Sequence, residues 1–268
     1  MNIKFYALLL LATIAAACTT KPKHPQSQLL NQYAASPETD QSINYYADSL
    51  DKQVNNLERQ QSMVYHLAEQ SVYIEKFNWN GKAVMYTQYL NNEGISEKTT
   101  KYYLKNDSVL LIKENLKKHQ GQADLFEEKH IYIRNQTPFK TTQRFSDSFS
   151  GLQAKRFADL KGPVPAIDFQ TDLSSLNDAL KGVNKFDMVF DQFISTPEGD
   201  FLLLKSKIPG GYSSSIRVNE KDPLIDSIQN EPAFFKDAKL NISWKIADRE
   251  AVYVPVGSRV TSANGLKR

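Results

Sequence analysis

The chain has 268 residues, with 33 lysines and arginines against 30 aspartates and glutamates, and a formal net charge of +3. This nearly neutral balance, without a run of basic residues, argues against nucleic acid as a partner. Thirteen tyrosines and fourteen phenylalanines against eleven glycines favour strands, because aromatic side chains fit a pleated, half-buried surface. With one cysteine the chain has no internal disulfide, so a hydrophobic core has to stabilise the fold.

Residues 1–17 have the layout of an export signal. Lys4 gives a positively charged start, Thr13 is the only polar residue in the apolar stretch that follows, and small residues precede Cys18. The stretch is shorter than the roughly 20 apolar residues that a membrane-spanning helix needs. We therefore expect residues 1–17 to be a signal peptide that is removed.

The sequence ALLLLATIAAAC, which ends at Cys18, resembles the signal of bacterial lipoproteins, where small residues precede an obligatory cysteine. The resemblance implies that the Cys18 thiol carries a diacylglyceryl group, that the signal is cut before it, and that the new amine is acylated. Several acyl chains anchor a protein durably. The alternative is an ordinary signal cut after Ala17, which leaves a free thiol.

The residues after the cysteine bear on location. In this family an aspartate directly after the cysteine can retain the protein at the inner membrane, and Thr19 and Thr20 stand there instead. The resemblance therefore implies the outer membrane, lipid-anchored at its periplasmic face. The polar, proline-containing segment 18–41 is predicted to be a flexible, lipidated tether.

Residues 42–158 are predicted to form a helix followed by an antiparallel meander. Ser42 suits the N-cap, and an apolar stripe at helical spacing starts at Ile43 and extends to Ala68, although residues 63–68 could already be strand. The stripe is expected to pack on the chain's own sheet; the alternative is a coiled-coil seam between two copies.

Alternating strand-like and turn-like segments follow from Val72 and predict a meander of about six strands. The Asn80-Gly81 pair is the strongest turn signal, because both central residues of a type I′ turn need positive φ. The stretches YLKNDSVL (103–110) and YIRNQTPF (132–139) look alike and predict one hairpin design used twice.

Segment 159–184 contains prolines and Lys-Gly pairs and is predicted to be a linker. Residues 185–268 then predict a small β-β-β-α-β-β domain, whose helix has Asp222 as N-cap and Pro223 at its first position. This element order resembles an OB-type barrel; a simple antiparallel sheet with a helix on it is the alternative. The predicted fold class is α+β, mostly antiparallel β.

The sequence contains none of the common catalytic motifs. The four histidines share no ligand spacing, and no G-x-S-x-G or G-x-G-x-x-G motif occurs. Neighbouring carboxylates such as Glu127 and Glu128 point to opposite faces of a strand and cannot act on one bond. We therefore predict a protein that is not an enzyme, with no catalytic, metal-binding or cofactor-binding residues.

The sequence predicts a membrane-anchored periplasmic lipoprotein that acts as a non-catalytic binding or structural module of the cell envelope. Its expected partners are the lipid bilayer, through acylated Cys18, and an envelope protein or a small apolar or glycan ligand; the oligomeric state stays open. The alternative is a carrier for an apolar or glycan ligand held in the curved meander, and a hydrolase is a third reading. The residues that could line the carrier site, or equally form the core, are Phe77, Trp79, Tyr86 and Tyr89.

Three Asp-Ser-aliphatic sequences resemble the acceptor of a bacterial periplasmic O-glycosylation system. Their serines are Ser49, Ser108 and Ser227. The alternative is that Asp-Ser pairs start turns and helices.

Overall fold

The computed structural model describes residues 39–121, 123–161 and 169–256, without the side chain of Gln170. Antiparallel strands dominate this part of the chain and helices lie against them, which confirms the predicted α+β class. The signal peptide, Cys18 and most of the predicted tether lie outside the described residues.

Five helices and fourteen strands follow one another in the described part of the chain. The helices are α1 (Asp40–Gln53), α2 (Phe149–Ala154), α3 (Phe169–Lys181), α4 (Pro223–Asn230) and α5 (Pro232–Phe235). The strands are β1 (Glu58–Gln61), β2 (Tyr65–Leu67), β3 (Gln70–Trp79), β4 (Lys82–Asn92), β5 (Ser96–Lys105), β6 (Ser108–Gln120), β7 (Ala123–Arg134), β8 (Thr137–Ser146), β9 (Ala158–Asp159), β10 (Met188–Thr196), β11 (Gly199–Ser206), β12 (Ser213–Val218), β13 (Ser243–Ala247) and β14 (Glu250–Val254). Single turns of 3₁₀ helix cover Val54–Asn56 and Asn184–Phe186.

The strands form one open sheet in the order β10-β11-β12-β2-β3-β4-β5-β6-β7-β8-β9, with β1 beside β3 and β14 beside β12. Strands β3 to β8 are the predicted six-stranded meander. The C-terminal strands do not close into an OB-type barrel, because β12 pairs with β2 and, in parallel, with β14. The alternative of a sheet with a helix on it describes this part better, except that the β12–β14 pair is parallel and the strands extend the sheet of the meander.

The predicted repeated hairpin is confirmed and has a third copy. All three hairpins turn on two residues with positive φ: Asn80-Gly81, Asn106-Asp107 and Asn135-Gln136. In all three the register shifts just after an aromatic residue: Phe77, Tyr103 and Tyr132. A bulge of this kind raises the local twist, and its repetition at alternate hairpins aligns the three buried rings in one cluster.

Helix α1 crosses this ring cluster. Ile43 and Ala47 are buried against it, and the Tyr132 hydroxyl lies 2.9 Å from the Asn44 amide nitrogen. The Asp51 carboxylate accepts hydrogen bonds from the Tyr103 hydroxyl (2.8 Å) and Lys101 Nζ (2.7 Å). These bonds lower the pKa of Asp51, although its burial acts to raise it. The predicted packing of the helix on the chain's own sheet is confirmed.

The helix is shorter than the apolar stripe suggested. It begins at Asp40, ends at Gln53 and is followed by β1, whose polar residues pair with β3. The backbone hydrogen bonds between β1 and β3 outweigh the helical preference of this segment, because that preference depends on only a few apolar residues at helical spacing. Val64 belongs to the cluster on the other face of the sheet, and Ala68 has a positive φ in a turn.

The other face of the sheet carries the larger hydrophobic cluster, which α3 and α4 cover. Its largest fully buried members come from β2, the meander, the C-terminal strands and α4, and include Tyr65, Ile74, Phe190, Leu202 and Ile216. Helix α3 lies in the predicted linker 159–184 and buries Leu173 and Leu176. The division into two domains stays a prediction; residues from both sides of it share one sheet and one cluster.

Candidate functional site

The four predicted ligand-lining rings have different surroundings. Phe77 is buried under α1, whereas Tyr86 lies on the opposite face of the sheet and bonds Asn177 of α3 (3.0 Å). Trp79 is 49 % exposed beside a hairpin turn. Tyr89 stacks on Tyr73 with ring centroids 4.4 Å apart. The meander therefore uses these rings in two cores and at its surface.

The three predicted acceptor serines lie at turns and helices. Ser49 Oγ donates to the Tyr46 carbonyl oxygen (2.7 Å) within α1, and Ser227 Oγ donates to that of Pro223 (2.7 Å) within α4. Ser108 is exposed and starts β6. Ser108 and Ser227 are accessible on the described surface, and their glycosylation stays a prediction.

Three histidines lie in the described part of the chain and none is near another. His66 is in β2, where burial lowers its pKa and Glu93 opposes that shift. His119 Nδ1 lies 2.6 Å from Asp124 Oδ1. His130 Nε2 lies 3.0 Å from Glu128 Oε1, and Arg144 Nε and Nη2 donate to the other oxygen of Glu128 (2.8 and 2.6 Å). Burial acts to raise the Glu128 pKa, but these two partners lower it.

A concavity lies on the α3 side of the sheet, between the end of α3, β2, β10, β11 and the segment before β13. Its volume is about 260 Å³. Its walls are mostly apolar: Met63, Tyr65, Leu180, Phe186, Met188, Leu204, Leu240, Ile242 and Trp244. Polar atoms nevertheless form a substantial share of the exposed wall, with Lys181, Lys239 and Asn241 among the lining residues. Such walls suit a ligand with an apolar body and polar groups.

Hydrogen bonds fix the polar ends of the two largest rings in the wall. The Tyr65 hydroxyl donates to the Ala179 carbonyl oxygen (2.8 Å), and Trp244 Nε1 donates to that of Ser62 (3.3 Å). Burial raises the pKa of Tyr65, so its hydroxyl stays a neutral donor. The Tyr65 and Phe186 ring centroids are 4.8 Å apart. The buried rings of Tyr65 and Phe186 therefore form a fixed base to the wall, and Trp244 is the partly exposed ring in it.

The rim of the cavity carries positive charge. Lys181 stands at the end of α3, and Lys239 Nζ bonds Asp187 Oδ1 (2.7 Å). Lys207 holds the other oxygen of Asp187 at 2.8 Å, and both lysines lower the pKa of Asp187. A ligand with an apolar body and a polar or anionic end would fit this arrangement.

A second, smaller pocket lies over β3 to β5 and has a mixed lining of aromatic rings and polar side chains. Its volume is about 40 Å³, and the stacked rings of Tyr73 and Tyr89 and the Glu97–Arg249 pair (3.0 Å) line it. Beside it the buried Glu75 accepts hydrogen bonds from Gln61 Nε2 (2.8 Å) and the Tyr89 hydroxyl (3.0 Å). The space holds about one water molecule, far less than a sugar ring.

Part of the cavity could be anticipated from the sequence. The alternation of apolar and polar residues in KLNISWKIAD gives Leu240, Ile242 and Trp244 one common face, and this face lines the cavity. The opposite walls could not be anticipated, because β2 meets β12 at a single residue pair and α3 packs from a predicted linker.

Among residues 39–121, 123–161 and 169–256, no group of three or more His, Cys, Asp or Glu side chains could hold a metal ion. No helix within these ranges is both long enough and apolar enough to cross a membrane. No known protein family, no curated protein and no solved structure matches the chain.

Proposed function

We propose that this protein is a lipid-anchored, non-catalytic binding module of the bacterial cell envelope, held at the periplasmic face of the outer membrane. The observation that carries the proposal is the apolar signal that ends in small residues and the single Cys18. An unpaired thiol in an oxidising compartment is a liability, and acylation removes it.

The anchoring is tested by expression of the full precursor in a bacterial host and detergent phase separation. We expect the wild type in the detergent phase and the Cys18→Ser variant retained as the uncut precursor. A matched control is Thr20→Ser, which leaves the signal and the cysteine intact and should partition like the wild type. A wild-type protein in the aqueous phase, with its signal removed and its thiol free, would contradict the proposal.

A second candidate function is favoured by the apolar cavity: the module carries an apolar ligand. The cavity of about 260 Å³ lies just below the usual range for small-molecule sites, so it suits one chain or ring system. A glycan is less well supported, because the pocket over β3 to β5 is only about 40 Å³.

The two tryptophans of the chain give a direct test of the carrier function. Trp244 lines the cavity, whereas Trp79 is half exposed outside it. In the Trp79→Phe variant, a brominated fatty acid bound in the cavity should quench Trp244 fluorescence saturably, because bromine quenches on contact. In the Trp244→Phe variant, the remaining Trp79 should be quenched no more than free tryptophan under the same conditions.

The filling variant Leu240→Phe should weaken the quenching of Trp244, since it occupies part of the same space. Equal quenching of Trp79 and Trp244 would mean that the brominated acid quenches both by collision in solution and does not bind in the cavity. That result would exclude the cavity as the binding site and leave the anchoring proposal intact.

A further inference from the structure

The outer edge of the sheet at β8 and β9 carries exposed apolar side chains on both of its faces: Phe145 lies on the α3 side, whereas Phe149 and Phe157 lie on the α1 side. We call this set the phenylalanine edge; its members are Phe145, Phe149, Phe157 and Leu160. Phe145 is 54 % and Phe149 62 % exposed. Single exposed apolar residues are ordinary on a protein surface, but several within one short segment indicate an interaction site.

The backbone and neighbouring rings hold the phenylalanine edge in place. The Phe157 ring lies over His130, with ring centroids 4.3 Å apart, and the Leu160 amide donates to the Thr141 carbonyl oxygen (2.9 Å). The Phe149 ring meets Phe126 edge to face at 6.2 Å. The exposed rings are therefore presented by a supported edge.

Positive charges lie among these rings. Lys155, Arg156 and Lys161 are exposed on the same segment, and Lys155 Nζ lies 5.3 Å from the Phe145 ring centroid. The same segment also carries two carboxylates, Asp147 and Asp159, and Asp159 pairs with Lys140 (3.5 Å). Interleaved phenylalanines and cations are typical of surfaces that lie on anionic lipid headgroups.

The described chain begins at this same edge. Lys140 Nζ of β8 holds the Asp40 carboxylate at 2.6 Å, and the same Nζ reaches Asp159 of β9. This contact lowers the pKa of Asp40 and raises that of Lys140. The segment that leads back to Cys18 thus joins the fold at the edge strand. An anchor at Cys18 would keep this edge within reach of the bilayer, at the length of the tether.

We infer that the phenylalanine edge docks on an anionic phospholipid surface and fixes the orientation of the anchored protein. This inference rests on the proposed lipid anchoring. The apolar rings enter the headgroup region, and the three cations interact with phosphates, each with about a fivefold effect on the docked-to-undocked ratio. A protein partner is the competing occupant, and the experiment separates the two.

The test uses the full lipidated protein in vesicles, with one introduced cysteine that carries an environment-sensitive dye. Because Cys18 is the only native cysteine and is acylated, the introduced thiol is the only one that reacts. The probe position is Ser150→Cys in α2; the control position is Glu198→Cys, exposed at the β10–β11 turn near the opposite edge. We expect a blue-shifted emission only at position 150, and only in vesicles that contain phosphatidylglycerol.

Two sets of variants test the contributions of rings and charges. Phe145→Ser with Phe149→Ser should abolish the shift at position 150, whereas Phe234→Ser, at an even more exposed ring on α5, should preserve it. Lys155→Gln, Arg156→Gln and Lys161→Gln together should lower the docked-to-undocked ratio about a hundredfold. The control triple Lys52→Gln, Lys82→Gln and Lys245→Gln removes exposed cations elsewhere and should preserve the shift.

The outcomes distinguish this inference from the anchoring on which it rests. If the protein floats with the vesicles but the dye at position 150 shows the emission of a water-exposed dye, the docking is refuted and the anchoring is not. A shift at position 150 that needs added envelope proteins would overturn the lipid assignment in favour of a protein partner. A second labelled site at Cys18 would refute the anchoring itself.

Discussion

Replacement of Asp222 by alanine is expected to be among the most destabilising changes outside the hydrophobic clusters. Its carboxylate is 7 % exposed and holds three donors. Oδ1 accepts the Ile225 amide (3.0 Å) and caps α4, while Oδ2 accepts the Tyr253 hydroxyl (2.8 Å) and the Val256 amide (2.7 Å). One side chain thus joins a helix start to the last described strand and to the chain beyond it.

The magnitude follows from these three bonds. Loss of an N-cap costs about 1 kcal/mol. The buried bond between a carboxylate and the Tyr253 hydroxyl contributes about 2 kcal/mol. The hydrogen bond from the Val256 amide contributes only about 1 kcal/mol, because this amide lies near the surface and can hydrogen-bond to water when the carboxylate is removed. We therefore expect Asp222→Ala to lower the free energy of unfolding by about 4 kcal/mol, a large part of a typical domain's stability.

Urea unfolding followed by tryptophan fluorescence measures this loss. Asp226→Ala is the matched control, because Asp226 is exposed in the first turn of the same helix and should matter by less than about 1 kcal/mol. Tyr253→Phe should cost about 2 kcal/mol by itself and almost nothing in the Asp222→Ala background. Equal effects of Asp222→Ala and Asp226→Ala, or simple additivity with Tyr253→Phe, would refute the reasoning.

The effect should also depend on pH. Burial acts to raise the Asp222 pKa, but the bonds from Val256, Ile225 and Tyr253 lower it below its ordinary 3.8. A carboxylate with a lowered folded-state pKa stabilises the fold above its unfolded-state pKa, and this stabilisation is lost as pH falls through the folded value. The difference between wild type and Asp222→Ala should therefore be constant from pH 7 to pH 5 and shrink below pH 4.

Three further changes extend the same urea measurements. Phe190→Ala removes a fully buried ring from the larger cluster and should cost about 3 to 5 kcal/mol; a cost below 1 kcal/mol would mean that Phe190 is not a core residue. Gly81→Ala should cost about 1 to 2 kcal/mol through its positive φ (+74°) alone, since an added Cβ meets open space; an unchanged midpoint would contradict the type I′ turn. Arg249→Gln breaks an exposed pair with Glu97 and should change stability by less than about 0.5 kcal/mol, and a larger loss would contradict its surface position.

Local signals predicted much of the fold. The strands of the meander, the type I′ turns and the cap at Asp222 all depend on residues close in sequence, and the structure has each of them. Backbone conformation at Gly81 or Pro223 is restricted by the residue itself. These features could be predicted without knowledge of the tertiary structure.

Other features depend on which distant segments meet. The end of α1 at Gln53 follows from the pairing of β1 with β3, and the open C-terminal sheet follows from the pairing of β12 with β2. The third hairpin copy is not evident in the sequence, because Trp79 and Lys82 stand where the other two copies have a cation and a hydroxyl residue. Distant pairing of this kind leaves little trace in a single sequence.

The site was predictable only in part for the same reason. The four rings Phe77, Trp79, Tyr86 and Tyr89 lie on two neighbouring strands of the meander, but side-chain alternation and the bulge after Phe77 distribute them over both faces of the sheet. The cavity instead needs Tyr65, Met188 and Trp244, which come from three separate parts of the chain.

The central claim is that Cys18 carries lipid, and the intact mass of the protein from its native membranes tests it most directly. The account predicts a chain that begins at Cys18, with residues 1–17 absent and with the added mass of a diacylglyceryl group and an amide-linked acyl chain. A mass that equals the unmodified polypeptide, whether cut after Ala17 or uncut, would contradict it.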